Sequence, residues 1–183
     1  MTTFDFKEQL SAGAQGERDI IELFKDRDFD KFVVDVTDDS VMQDRGIDFI
    51  YMSKSIFGWF KNYEIKTDTH EARNFFIELE VADKPGWLHS SCADAVIYYF
   101  VEKGVAFIVP MPALRMWCGR YLNNHIELNP NSVKAITSGR GSSRWVTLGV
   151  TVPVGRLLHD IDSIERVEVK KSESLEEEGA GPN

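Results

Sequence analysis

Residues 44–68 read DRGIDFIYMSKSIFGWFKNYEIKTD, two apolar, β-branched and aromatic runs on either side of a polar, aromatic turn. Runs of this length and composition predict neighbouring strands over 47–52 and 59–67. Alternate side chains of a strand share a face, so Glu64 and Lys66 point one way while Tyr63 and Ile65 point the other. Asp48 likewise opposes its neighbours Ile47 and Phe49. If the two strands are adjacent, Asp48, Glu64 and Lys66 converge on one point.

Outward from this stretch the pattern continues in kind. Leu10, Gly13, Ala14, Ile20, Ile21 and Phe24 recur at three- and four-residue spacings and predict a helix over 6–25. Short strands are expected at 31–36 and 75–81, a hairpin from 95–101 and 105–109 around Gly104, and late strands at 145–154 and 164–169. A second helix over 112–122 would carry Leu114, Trp117, Cys118 and Tyr121 on one face. The expected class is α/β (α+β), a mixed central sheet flanked by helices.

Composition sets the outer bounds. The chain has 183 residues, 43% hydrophobic and 28% charged, enough for one domain with a real core. Its 30 carboxylates against 21 Lys and Arg give a net charge of −9, which argues against a surface that grips nucleic acid over its whole area. Four of the Glu fall in the last twelve residues, SESLEEEGAGPN, which lack hydrophobic periodicity. The expectation is a single domain over 1–171 and a disordered acidic tail over 172–183. The longest apolar run, 105–114, contains two prolines and falls short of the roughly 20 residues that span a bilayer. MTTFDFKEQL lacks the pattern of a secretory signal, and Cys92 and Cys118 form no CxxC pair. A cytoplasmic protein without a membrane partner is expected.

Two carboxylates and an ammonium meeting at one point suit phosphodiester hydrolysis. Mg²⁺ prefers hard oxygen ligands and takes one or two protein carboxylates together with substrate phosphate oxygens. A nearby Lys can orient the attacking water or stabilise developing charge.

The order Asp48, then Glu64-Ile65-Lys66 on the next strand, resembles the PD-(D/E)xK nuclease superfamily of restriction enzymes, junction resolvases and phage nucleases. Ile47 stands where the name has proline, and the resemblance covers roughly residues 10–80. It implies a restriction-endonuclease-like core and a DNA endonuclease using Mg²⁺ or Mn²⁺. In it Asp48 and Glu64 would bind the metal, the Ile65 carbonyl could add a ligand, and Lys66 would position the water. By the same fold-level analogy, the expectation is a structure-, junction- or flap-directed nuclease, of the phage-encoded kind, and a homodimer with two sites for two strands. RNA as substrate stays open.

Glu17 adds to this reading. At 100° per residue, Leu10, Ile20, Ile21 and Phe24 all lie within about 60° of it on the first helix. A carboxylate facing a core is costly unless paired, hydrogen-bonded or close to a metal. Members of the resembled superfamily carry an acid on the helix before the sheet, facing the metal site, and Glu17 matches that place, where the resemblance implies that it holds a metal-bound water or a second metal.

Other residues carry less. Arg45, Lys54 and Lys61 flank the candidate strands, and the segment TSGRGSSR at 137–144 supplies Arg140 and Arg144; all five are candidates for phosphate contacts. That segment also reads as a plain hairpin turn. Glu78 reads as a polar outer strand edge, and Asp68 fits either such an edge or the site. The four histidines stand apart in sequence and form no zinc motif. Asp48, Glu64 and Lys66 also fit the solvent face of a half-exposed hairpin. The competing function is a catalytically silent nuclease-fold interaction protein, an acidic DNA-mimicking inhibitor or binding module.

Overall fold

The computed structural model describes residues 6–27, 31–54, 59–70, 74–138 and 144–170. The expected tail and Arg140 lie outside the described residues. In chain order the elements are α1 (Phe6–Arg27), β1 (Lys31–Asp35), α2 (Ser40–Asp44), β2 (Phe49–Ser53), β3 (Phe60–Asp68) and β4 (Asn74–Val81). They continue with β5 (Lys84–Pro85), α3 (Trp87–Ser90), β6 (Ala95–Phe100), β7 (Val105–Pro110), α4 (Met111–Leu128) and β8 (Val133–Ser138). The described chain closes with β9 (Trp145–Pro153), α5 (Val154–Asp160) and β10 (Glu165–Glu168). None of the described helices is long and apolar enough to cross a membrane.

The class is α/β as expected, with its strands divided between two sheets. The first has the order β1-β2-β3-β6-β7-β10, and the second β5-β4-β9-β8. Within the first, β3 and β6 run parallel, with Glu64 beside Val96 and Lys66 beside Tyr98. The division follows from side-chain patterning. β6, AVIYYF, is buried at every position and sits inside the first sheet. β4 and the end of β9 alternate buried with less buried residues, Phe75 and Ile77 opposite Val152 and Val150, and so lay one face over another layer.

Each face of the first sheet has its own core. On one side α1 packs Ile20, Ile21 and Phe24 against Phe49, Tyr51, Tyr63 and Ile97. Phe49 and Tyr63 stack at 4.8 Å across the β2–β3 pair, and Phe24 meets Phe49 edge-on at 5.0 Å. Truncating a ring so enclosed costs about 3–5 kcal/mol, which locks α1 to the pair of strands that carries Asp48 and Glu64. On the other side Val96, Tyr98, Phe100 and Phe107 pack against the second sheet and α4.

α1 also approaches β3 closely. A Cβ on Gly16 would stand 2.4 Å from the Thr67 hydroxyl oxygen, so only glycine allows the helix to lie this near the strand. The buried face of α4 is Met111, Leu114, Trp117, Cys118 and Leu122. Tyr121, expected among them, is 40% exposed, because Leu122, four residues after Cys118, takes the inward position.

Candidate active site

β2 pairs with β3 from Phe49 opposite Tyr63 to Met52 opposite Phe60, so β3 beyond Tyr63 runs past the start of its neighbour. The chain reaches this edge by a fixed route. Asp39 caps α2 by accepting from the Val41 and Met42 amides. Gly46 then takes a left-handed φ of +63°, which turns the backbone into β2.

Asp48 is the first residue to meet β3, and it grips that strand twice. Its N–H donates to the Tyr63 carbonyl at 2.8 Å, and its Oδ2 accepts the Ile65 N–H at 2.5 Å. Its Oδ1 accepts from Gln43 Nε2 at 3.0 Å. The side chain thus replaces a ladder bond that β2 is too short to make.

Glu64 lies between those two anchor points, and only 3% of it is exposed. Its Oε1 takes Lys66 Nζ at 2.7 Å, while its buried Oε2 has no hydrogen-bond partner among the described residues. The Ser91 hydroxyl is near enough to favour the Glu64 charge, but it donates to the Gly46 carbonyl at 3.1 Å. Arg115 on α4 holds that wall by donating to the Leu88 and Ser91 carbonyls. A Cβ on Gly46 would come within 3.3 Å of the Glu64 carboxyl carbon.

Glu17 belongs to the same electrostatic group. Burial, then the charge of Asp48, push its pKa up, and Lys66 opposes the shift. Its place on α1 differs in detail from expectation. The inward face is Gly16, Asp19, Ile20, Ile21 and Phe24, and Glu17 sits half-buried on its flank. The fully enclosed acid is Asp19, which accepts from Gln15 at 2.8 Å and from the Tyr99 hydroxyl at 3.4 Å.

Burial also raises the Glu64 pKa, against the pull of Lys66. For Lys66 burial works against the charge, but Glu64, Glu78 and Asp48 outweigh it and hold the ammonium's pKa above its usual value. Four of the expected site groups, Glu17, Asp48, Glu64 and Lys66, therefore share one field. Ile65 shares the anchor: its N–H leaves β3 on the side of Asp48, and the carbonyl of a strand residue leaves on the same edge as its N–H.

The basic candidates divide. Arg45, exposed, is next to Gly46 and so borders Glu64. Lys61 is three residues from Glu64, about 10 Å along the strand at 3.3 Å per residue, and Lys54 lies past the far end of β2. Arg144 is exposed at the foot of the β8–β9 pair, where Ser138 faces Trp145. Asp68 is engaged locally, accepting from His70 at its backbone and ring nitrogens and from the Tyr98 hydroxyl.

Two contributors went unforeseen in the sequence. Gln43, which orients Asp48, carries no recognisable signal. Glu78, expected on an outer edge, is half-buried and feels the charges of Lys66 and Glu64. Its position follows from the second sheet folding over the first.

Set against protein-family models, curated proteins and solved structures, the chain matches none. Among the described residues no set of three His, Cys, Asp or Glu stands ready to enclose a metal ion. A closed cage is not what Mg²⁺ requires, since it keeps waters and takes phosphate oxygens. The buried Oε2 of Glu64, without a partner among the described residues, and the Asp48 carboxylate, whose charge acts on Glu64, are hard oxygen donors of the kind such a cation takes.

Proposed function

We propose that this protein is a divalent-cation-dependent nuclease that hydrolyses DNA phosphodiester bonds at the Asp48–Glu64–Lys66 edge, as the resemblance to the PD-(D/E)xK superfamily implies. The observation that carries the reading is the clasp of Asp48 on β3 around Glu64, whose second oxygen is buried and unsatisfied. A buried, unpaired carboxylate oxygen lowers stability, and sites that retain such a cost are enriched in function. Mg²⁺ or Mn²⁺, when bound, offsets charge on the phosphate and acidifies a water.

The protein's own groups divide the remaining work. Asp48 and Glu64 hold the cation, with the Ile65 carbonyl on the same edge. Lys66, released from Glu64 Oε1, presents three N–H donors to the attacking water or to a phosphate oxygen. Glu17, its pKa raised by burial and by Asp48, is suited to accept and hold a proton from the α1 side. Arg45 at the rim offers a bidentate contact to the neighbouring phosphate.

The test is cleavage of supercoiled plasmid and of branched DNA by the purified protein. Nicking with Mg²⁺ or Mn²⁺, none in EDTA, and loss in Asp48→Asn and Glu64→Gln is the expected result. The loss should exceed the roughly 10–100-fold that removing an outer partner of a metal ligand costs. Failure to cut any DNA or RNA favours a catalytically silent interaction protein. Cutting that survives both substitutions removes the proposed site.

A further inference from the structure

Glu78 lies in the other sheet, and the role inferred for it rests on the cation site proposed above. Lys66 Nζ is held by Glu64 Oε1 at 2.7 Å. A divalent cation on Glu64 and Asp48 would withdraw that partner and set two positive charges beside the ammonium. Without another counter-charge the ammonium would be expelled or the cation weakened.

Glu78 comes from β4, which the fold lays opposite β3 near this point. The Phe76 N–H donates to the Tyr98 hydroxyl at 2.9 Å, and that hydroxyl donates to Asp68 Oδ2 at 3.3 Å. This clamp ties β4 to the end of β3, two residues from Glu78 on one strand and two residues from Lys66 on the other. Beyond it, the register of β4 against β9 shifts between Glu78 and Glu80, and the Gly86 N–H fixes the irregular turn by donating to the Leu79 carbonyl at 2.9 Å. Glu78, Thr67 and Asp68 line one cleft of about 300 Å³. Among the described residues no hydrogen bond reaches the Glu78 side chain, and Lys66 is the cation whose charge acts on it.

We infer that Glu78 is a positioning residue, the second carboxylate to which Lys66 turns when Glu64 takes a cation, so that the ammonium stays beside the reacting phosphate. Glu78 then acts on the cation through Lys66 and without ligating it.

Calorimetric titration of the full-length protein with MgCl₂ separates the possibilities. Glu78→Gln is expected to weaken Mg²⁺ binding about tenfold, the scale of an outer partner of a metal ligand. Glu78→Asp, which keeps the charge, should bind within about twofold of the parent, and in a Lys66→Met background Glu78→Gln should cost nothing further. A tenfold loss that persists with Lys66→Met makes Glu78 a ligand and overturns the proposal, as does unchanged binding by Glu78→Gln in an otherwise native chain. Equal losses in Glu78→Gln and Glu78→Asp also overturn it, since charge would not be the property at work. If the parent itself binds no Mg²⁺ or Mn²⁺, the cation site falls and this inference with it, an outcome distinct from the other three.

Discussion

Asp48 and Ile65 are joined by a 2.5 Å hydrogen bond from a backbone N–H to a carboxylate oxygen, seventeen residues apart in the chain. A carboxylate accepting a buried amide contributes about 1.5–3 kcal/mol. Asp48 is thus structural and chemical together, and its substitutions should separate the two roles. Asp48→Ala strands the Ile65 N–H and should lower stability by about 2 kcal/mol or more. Asp48→Asn keeps an acceptor for that N–H and should hold stability within about 1 kcal/mol while abolishing cation binding. Urea denaturation and calorimetry on the two variants check both halves.

Cation binding should itself stabilise the fold. A cation at 100 times its Kd adds about 2.7 kcal/mol. At about 2–4 °C per kcal/mol for a chain of this size, the thermal midpoint should rise by roughly 5–10 °C with Mg²⁺ or Mn²⁺, and by nothing in Asp48→Asn.

Two glycines near the site should resist alanine for different reasons. Gly46 has φ +63°, where alanine costs about 1–2 kcal/mol, and its Cβ would press on Ser91 and Glu64. Gly46→Ala should lower both stability and cation affinity. Gly16 sits inside α1, where alanine ordinarily adds about 1 kcal/mol. Here its Cβ would meet Thr67 at 2.4 Å, so Gly16→Ala should destabilise and move Glu17 away from Asp48. A melt and a cleavage assay on each variant decide it; a more stable, fully active Gly16→Ala would contradict the close approach of helix and strand.

Acidity near the site should cost stability at neutral pH. Burial raises the pKa of both Glu17 and Glu78 above the ordinary 4.5. A raised carboxyl favours the protonated form in the folded state, so its contribution is fully present below pH 4.5 and is lost as pH rises through the raised value. Glu17→Gln and Glu78→Gln should therefore melt above the parent at pH 8 in EDTA, by a few degrees, on the order of 2–4 °C. The gain should shrink below pH 4.5. Equal midpoints at pH 8 would mean that solvent screens these groups.

Much of this arrangement was legible in the chain because it rests on local periodicity. The alternation in 59–67 puts Glu64 and Lys66 on one face, and the observed β3 does the same beside Val96 and Tyr98. The spacing of Ile20, Ile21 and Phe24 marks the buried side of α1. What was not legible depends on how layers meet. β4 alternates as an ordinary half-buried strand, and nothing local says that Glu78 will feel the charge of Lys66. Glu17 on a wheel centred on itself falls amid apolar neighbours, but burial of Gly16 and Asp19 shifts the true centre toward Ile20. The division into two sheets likewise follows from Phe75 and Ile77 finding partners in β9 about seventy residues away, a pairing no window of sequence contains.

The shared cation of Asp48 and Glu64 is open to direct observation in a crystal soaked in MnCl₂, from the anomalous difference density at the β3 edge. A peak within about 2.1–2.2 Å of an Asp48 carboxylate oxygen and of Glu64 Oε2, with Lys66 displaced from Glu64, is the predicted result. Full occupancy of Mn²⁺ elsewhere, with Lys66 still on Glu64 Oε1 and no density between the two carboxylates, would contradict it.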